Sequence, residues 1–120
     1  MNIKIGDIFY ENRGIAHFYQ VVKVYESGRV KIREIDKEET KSNCGYEMIA
    51  KPIKDKFLPK REYQEFEKKY VEITDNDKGV IKKIDYYKNN PIIEFKTSIA
   101  DLWKGNDVIS NYYSIWMKWV

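Results

Sequence analysis

Phe18-Tyr-Gln-Val-Val-Lys-Val-Tyr25, Glu26-Ser-Gly-Arg29 and Val30-Lys-Ile-Arg-Glu-Ile35 decide how the rest of this chain is read. Two β-branched, aromatic-rich runs flank a short turn that holds a glycine, the pattern of a β-hairpin. Gly28 can adopt the positive φ of a tight turn without steric cost. In the returning run Val30 and Ile32 share one face, and Lys31 and Arg33 share the other.

Working outward, short apolar runs recur about every ten residues between turn signals. Ile3 to Asn12 contains a Gly6-Asp7 turn before Ile8-Phe9-Tyr10, and Arg13-Gly14 turns the chain again. Residues 36–43 are polar without an apolar period and are expected to form an exposed loop. Cys44 to Ile53 suits a short strand, with Pro52 at its end or on an edge. Asp75 to Gly79 is a turn, Val80 to Tyr87 a strand, Asn89-Asn-Pro91 a turn, and Ile92 to Thr97 a further strand. Trp103 to Asp107 turns once more. Val108 to Val120 fits a strand by the parity of Tyr113, Ile115, Met117 and Trp119, or a helix aligning Val108, Tyr112, Trp116 and Val120.

The stretch 59–70 is the one place where a helix is expected. Pro59 fits a first helical turn, and Tyr63, Phe66 and Tyr70 fall at i, i+3 and i+7. The competing arrangement is a loop entering a strand from Lys69 to Ile73. The whole predicts a mainly β fold, a small antiparallel SH3-like barrel with one short helix at about 59–70.

The chain has 120 residues, enough for one domain over 1–120 and one hydrophobic core. Of its 22 basic and 19 acidic side chains, 12 and 9 lie in residues 1–60 and 10 and 10 in residues 61–120. The basic surplus of +3 is therefore confined to the first half, far below the charge of a dedicated nucleic-acid binder. Cys44 is the only cysteine, which excludes an intramolecular disulfide and fits a reducing cytoplasm. Met1 to Asp7 lacks an apolar run of signal-peptide length, and no stretch approaches the roughly 20 apolar residues of a membrane span. A cytoplasmic location without membrane contact is expected.

Gly6-Asp-Ile-Phe-Tyr10, Phe18 to Val24 and Val30 to Ile35 resemble the N-terminal half of a family of small phage, plasmid and other mobile-element proteins. Ala100-Asp-Leu-Trp-Lys-Gly105, followed by Tyr112-Tyr113, is similar to that family's C-terminal Leu-Trp-Asp-Gly-Lys-Pro box and closing tyrosine. The likeness covers about half of the chain. Lys104 replaces the aspartate of the box, Asn106-Asp107 replaces Lys-Pro, and the tail from Ser114 runs past the usual end. The resemblance implies a mobile-element setting; it carries no catalytic residue over.

Several residue patterns bear on chemistry. His17 and Cys44 could supply a base and a nucleophile, but nothing in their spacing joins them, and a lone cysteine is most often a small buried hydrophobe. Asp75 to Gly79 lacks the glycine and glutamate positions of a calcium loop. One histidine and one cysteine cannot build a four-ligand zinc site. No enzyme activity and no cofactor are expected. The binding candidates are the basic and aromatic residues of the hairpin, Tyr19, Lys23, Tyr25, Lys31 and Arg33, where cations could hold phosphates and rings could stack on bases. The ordinary alternative is a solvated outer face. Trp116 and Trp119 belong to a tail with four large rings in eight residues, suited either to core packing or to a partner or self-association patch. The expected role is non-catalytic: docking on a host protein complex, such as a CRISPR effector, as an inhibitor of nucleic-acid-targeting defence. The alternative is a nucleic-acid-binding accessory protein; a homodimer is compatible with both.

Overall fold

The computed structural model describes residues 2–12, 14–41, 48–73, 79–105 and 109–110. Eleven strands are found there: β1 (Ile8–Asn12), β2 (Ala16–Val24), β3 (Arg29–Lys41), β4 (Met48–Phe57), β5 (Lys60–Gln64), β6 (Lys69–Ile73), β7 (Val80–Lys83), β8 (Asp85–Tyr87), β9 (Asn90–Glu94), β10 (Ile99–Leu102) and β11 (Ile109–Ser110). Every pairing is antiparallel. The main sheet runs β11-β4-β3-β2-β1-β10-β9-β8, with β7 also on β3. The fold is mainly β, as the alternating runs predict, and the described residues contain no helix.

The central sheet buries both of its faces. Ile8, Ala16, Phe18, Ile35, Ala50 and Ile109 form one core, with Tyr10, Phe57 and Trp103 packed against it. Phe9, Val21, Val30, Ile32, Ile93 and Ala100 form a second, with Ile84, Phe95 and Leu102 at its margin. Adjacent residues such as Ile8 and Phe9 serve opposite cores because successive side chains of a strand point to opposite faces. Phe9 and Phe18 are fully buried. Each such ring contributes about 1.5–3 kcal/mol relative to exposure. On the second core's side, the buried Glu11 carboxylate accepts hydrogen bonds from the Tyr19 hydroxyl at 2.8 Å and from the Ser98 hydroxyl, which satisfies it.

One extended run, 80–87, binds the sheet to itself. Its first half, β7, pairs with β3, and its second half, β8, pairs with β9. Half-buried Ile84 marks the break and packs on the second core. This bends the sheet around that core, although the hydrogen-bonded path stays open, with β8 and β11 as its ends.

Two expectations are corrected. The helix at 59–70 is instead the hairpin β5–β6, a separate two-stranded sheet. Tyr63 and Tyr70, which lie along one face of the expected helix, are direct cross-strand partners. The apolar spacing therefore satisfies both periods. Tyr70, Val71 and Ile73 favour strand, and Lys68 has φ 51°, a left-handed value that ends any helix there. The polar loop expected at 36–43 is, through Lys41, the second half of β3, which pairs with β4. Lys37 donates to the Ala16 carbonyl at 2.6 Å, so its polar side chain is built into the fold.

β4 and β7 occupy the same edge of β3, one after the other. Leu58 donates to the Glu34 carbonyl at 2.9 Å, and β7 begins opposite Ile32. The hairpin β5–β6 is the excursion the chain makes between them.

Candidate basic groove

The groove is built by two irregularities on either side of β3. The first is in β2. Val21 pairs with Ile32, but Lys23, not Val22, pairs with Lys31. The extra residue, Val22, shifts the parity of the strand. Tyr19 and Val21 point to the second core, and Lys23, two residues further, stands beside Lys31 on the opposite face. Gln20 pairs with Arg33, which brings that side chain to the same face. The second irregularity is in β4, where Ile35 pairs with Phe57 but Lys37 pairs with Pro52. The surplus residues bulge over β3 toward β2. Asp55, at φ 67°, caps the bulge. Its N–H donates to Gln20 Oε1 at 2.8 Å, and its Oδ1 accepts from Gln20 Nε2 at 2.8 Å. Gln20 is buried, so this two-bond clasp satisfies its amide.

Between these features lies an open groove of ≈ 520 Å³. Ile5, Val22 and Phe57 give it apolar surface; Lys23, Lys31 and Arg33 supply charge, against the single carboxylate of Asp55. Two of the cations lie over rings, Lys23 Nζ 4.9 Å from the Tyr25 centroid and Arg33 Cζ 4.2 Å from that of Phe57. Such stacking holds the charge near the groove and keeps the ring covered. Lys54 lies at the Gly6 turn, where an added Cβ would stand 3.1 Å from its Nζ.

Of the residues expected to bind, Lys23, Lys31 and Arg33 therefore come together, with Tyr25 beneath Lys23. Tyr19 does not join them. Its ring packs on Phe95 at 4.9 Å between centroids on the other face. Trp116, Trp119 and Cys44 lie outside the described residues. Ile5, Gln20, Asp55 and Phe57 had no signal in the sequence; Phe57 and Asp55 reach the groove only through the β4 bulge. His17 Nδ1 lies 3.0 Å from Glu34 Oε2. That pair sits on the second-core side of the sheet, away from the groove. Among the described residues no three His, Cys, Asp or Glu side chains gather as metal ligands, and no helix is long and apolar enough to cross a membrane.

Two ionisable groups in the second half of β3 are perturbed. The Lys37 N–H and the Lys56 ammonium both bind the Asp36 carboxylate and hold its pKa below the ordinary carboxylate value, the backbone bond most strongly. Burial lowers the pKa of Lys37, against the pull of Glu39, Glu34 and Asp36.

Compared with protein-family models, curated proteins and solved structures, the chain matches none.

Proposed function

We propose that this is a non-catalytic binding protein that docks on an anionic surface through the groove between β2, β3 and β4. The observation that carries this is the convergence of Lys23, Lys31 and Arg33 on a concave surface with apolar flanks. Cations around an apolar floor suit an acidic protein face, where charge steers the encounter and the floor supplies burial. The likeness to mobile-element proteins supports a more specific role as an inhibitor docking on a host complex that targets nucleic acid, as anti-CRISPR proteins do.

The test is capture from a host cell extract with the wild-type protein and with Lys31→Glu/Arg33→Glu. Recovery of a nucleic-acid-targeting complex by wild type, lost with the double reversal, is the expected outcome. Equal capture by both proteins refutes the groove.

Nucleic-acid binding is the second reading, favoured by the same three cations. Against it, Tyr25 and Phe57 are covered by cations and Tyr19 packs on Phe95, so among these three hairpin and groove rings none offers an open platform for base stacking. Duplex binding through three phosphate contacts predicts a log–log salt slope of about −2.7. No measurable DNA or RNA binding at low salt eliminates this reading.

A further inference from the structure

Beyond that role, we infer that the protein associates with itself, the tip of the β5–β6 hairpin of one copy seating in the basic groove of another. The tip is Glu65-Phe66-Glu67, and Phe66 is 96% exposed. A turn holds it: Lys68 N–H donates to the Glu65 carbonyl at 3.3 Å, and Lys68 takes φ 51° to bring the chain back. Gln64 and Lys69 pair directly beneath the turn. The phenyl ring is thus presented at the end of a ladder of five residue pairs and not on a loose loop. A ring held almost wholly in water gains by burial, and aromatic side chains of this kind anchor interfaces.

The groove has the complementary chemistry. Ile5 and Val22 offer apolar contact to a phenyl ring, and Lys23, Lys31 and Arg33 supply charge opposite to the two carboxylates that flank it. Its ≈ 520 Å³ accommodates such a tip. The partner of Glu67 within its own chain is Lys69 at 3.3 Å, both side chains well exposed. An exposed pair of this kind is weak and exchanges readily. Glu65 precedes the ring and Glu67 follows it, with Lys68 and Lys69 beyond them on the returning arm, so the acidic part of the tip is the pair of residues that flank Phe66. The hairpin begins just after Phe57, and its five-residue arms set the tip roughly 15 Å along the hairpin from its start at the rise of a strand. One molecule therefore carries the acidic-aromatic tip and the basic groove at separate places on its surface.

Sedimentation velocity over a series from about 1 µM to about 1 mM tests this. At low salt the weight-average mass of wild type rises above the 14.4 kDa of one chain as concentration rises. Added salt reduces the rise. Phe66→Ala, a change at an exposed turn whose unchanged circular dichroism confirms the fold, stays at the mass of one chain. Lys31→Glu does the same, and Lys31→Glu/Glu67→Lys, which exchanges the charges, restores association. A wild type that stays monomeric throughout, or association unaffected by Phe66→Ala, overturns the inference. The proposed function uses the same groove but is separable: loss of host capture by Lys31→Glu/Arg33→Glu in a protein that never self-associates rejects this inference and leaves that reading standing.

Discussion

Gly28 and Gly79 share φ +87° in different surroundings. Nothing lies within 4 Å of a Cβ built at Gly28, whereas one at Gly79 would stand 2.5 Å from the Ile32 carbonyl oxygen. Gly28→Ala is expected to cost only the left-handed conformation, about 1–2 kcal/mol. Gly79→Ala must also push β7 off β3 and is expected to cost clearly more, read as the difference between the two midpoints in urea. Phe18, fully buried in the first core, predicts a loss of about 3–5 kcal/mol for Phe18→Ala. Asp36 makes a pH prediction. Its folded pKa lies below its unfolded one, so its contribution is fully present above the ordinary value near 3.8 and is lost as pH falls through the lower folded value. Lys56→Ala should raise the Asp36 midpoint measured by NMR. It should still leave that midpoint below the ordinary value, because the Lys37 backbone bond, the larger cause, remains.

Among the strands, β3 organises the others: β2 lies on one edge, and β4 and then β7 lie on the other. The hairpin β5–β6 is inserted at that junction and pairs only with itself among the described strands. Replacing residues 60–73 with a short Gly-Ser linker is therefore expected to leave cooperative unfolding of the main sheet in place, with the midpoint moved by only a few degrees, roughly the effect of 1 kcal/mol in a domain of this size. A broad, non-cooperative melt would mean that the hairpin supports the sheet. The β8–β9 turn is tight for an identifiable reason. Lys88 at φ 49° and Asn89 at φ 67° are both left-handed, the geometry of a two-residue turn matched to strand twist. Asn89 suits that conformation better than Lys88, so Lys88→Asn should raise the melting temperature slightly.

At the scale of the whole molecule, a modest net charge of +3 becomes a local feature because the fold gathers three cations around one carboxylate. Binding of an acidic partner should weaken with salt. Each single reversal, Lys23→Glu, Lys31→Glu or Arg33→Glu, should lower affinity about tenfold, or about 1.4 kcal/mol, while Tyr19→Phe, on the opposite face, should leave affinity unchanged. Isothermal titration of the captured partner against this set distinguishes the groove from the rest of the surface.

The β class, the central hairpin, the turn at Gly28 and the pairing of Lys31 with Arg33 on one face follow from the chain alone. They rest on alternation and turn chemistry, which act between near neighbours. What the tertiary structure alone decided is where that alternation slips. The Val22 bulge separates Lys23 from the face of Tyr19, although both share a parity in the sequence, and the β4 bulge delivers Asp55 and Phe57 to a groove formed by strands distant in the chain. Tyr63 and Tyr70 fit a helix or a hairpin equally by spacing, so that choice too was left to the surroundings. Bulges and register depend on contacts between separate strands, and periodicity within one strand does not encode them.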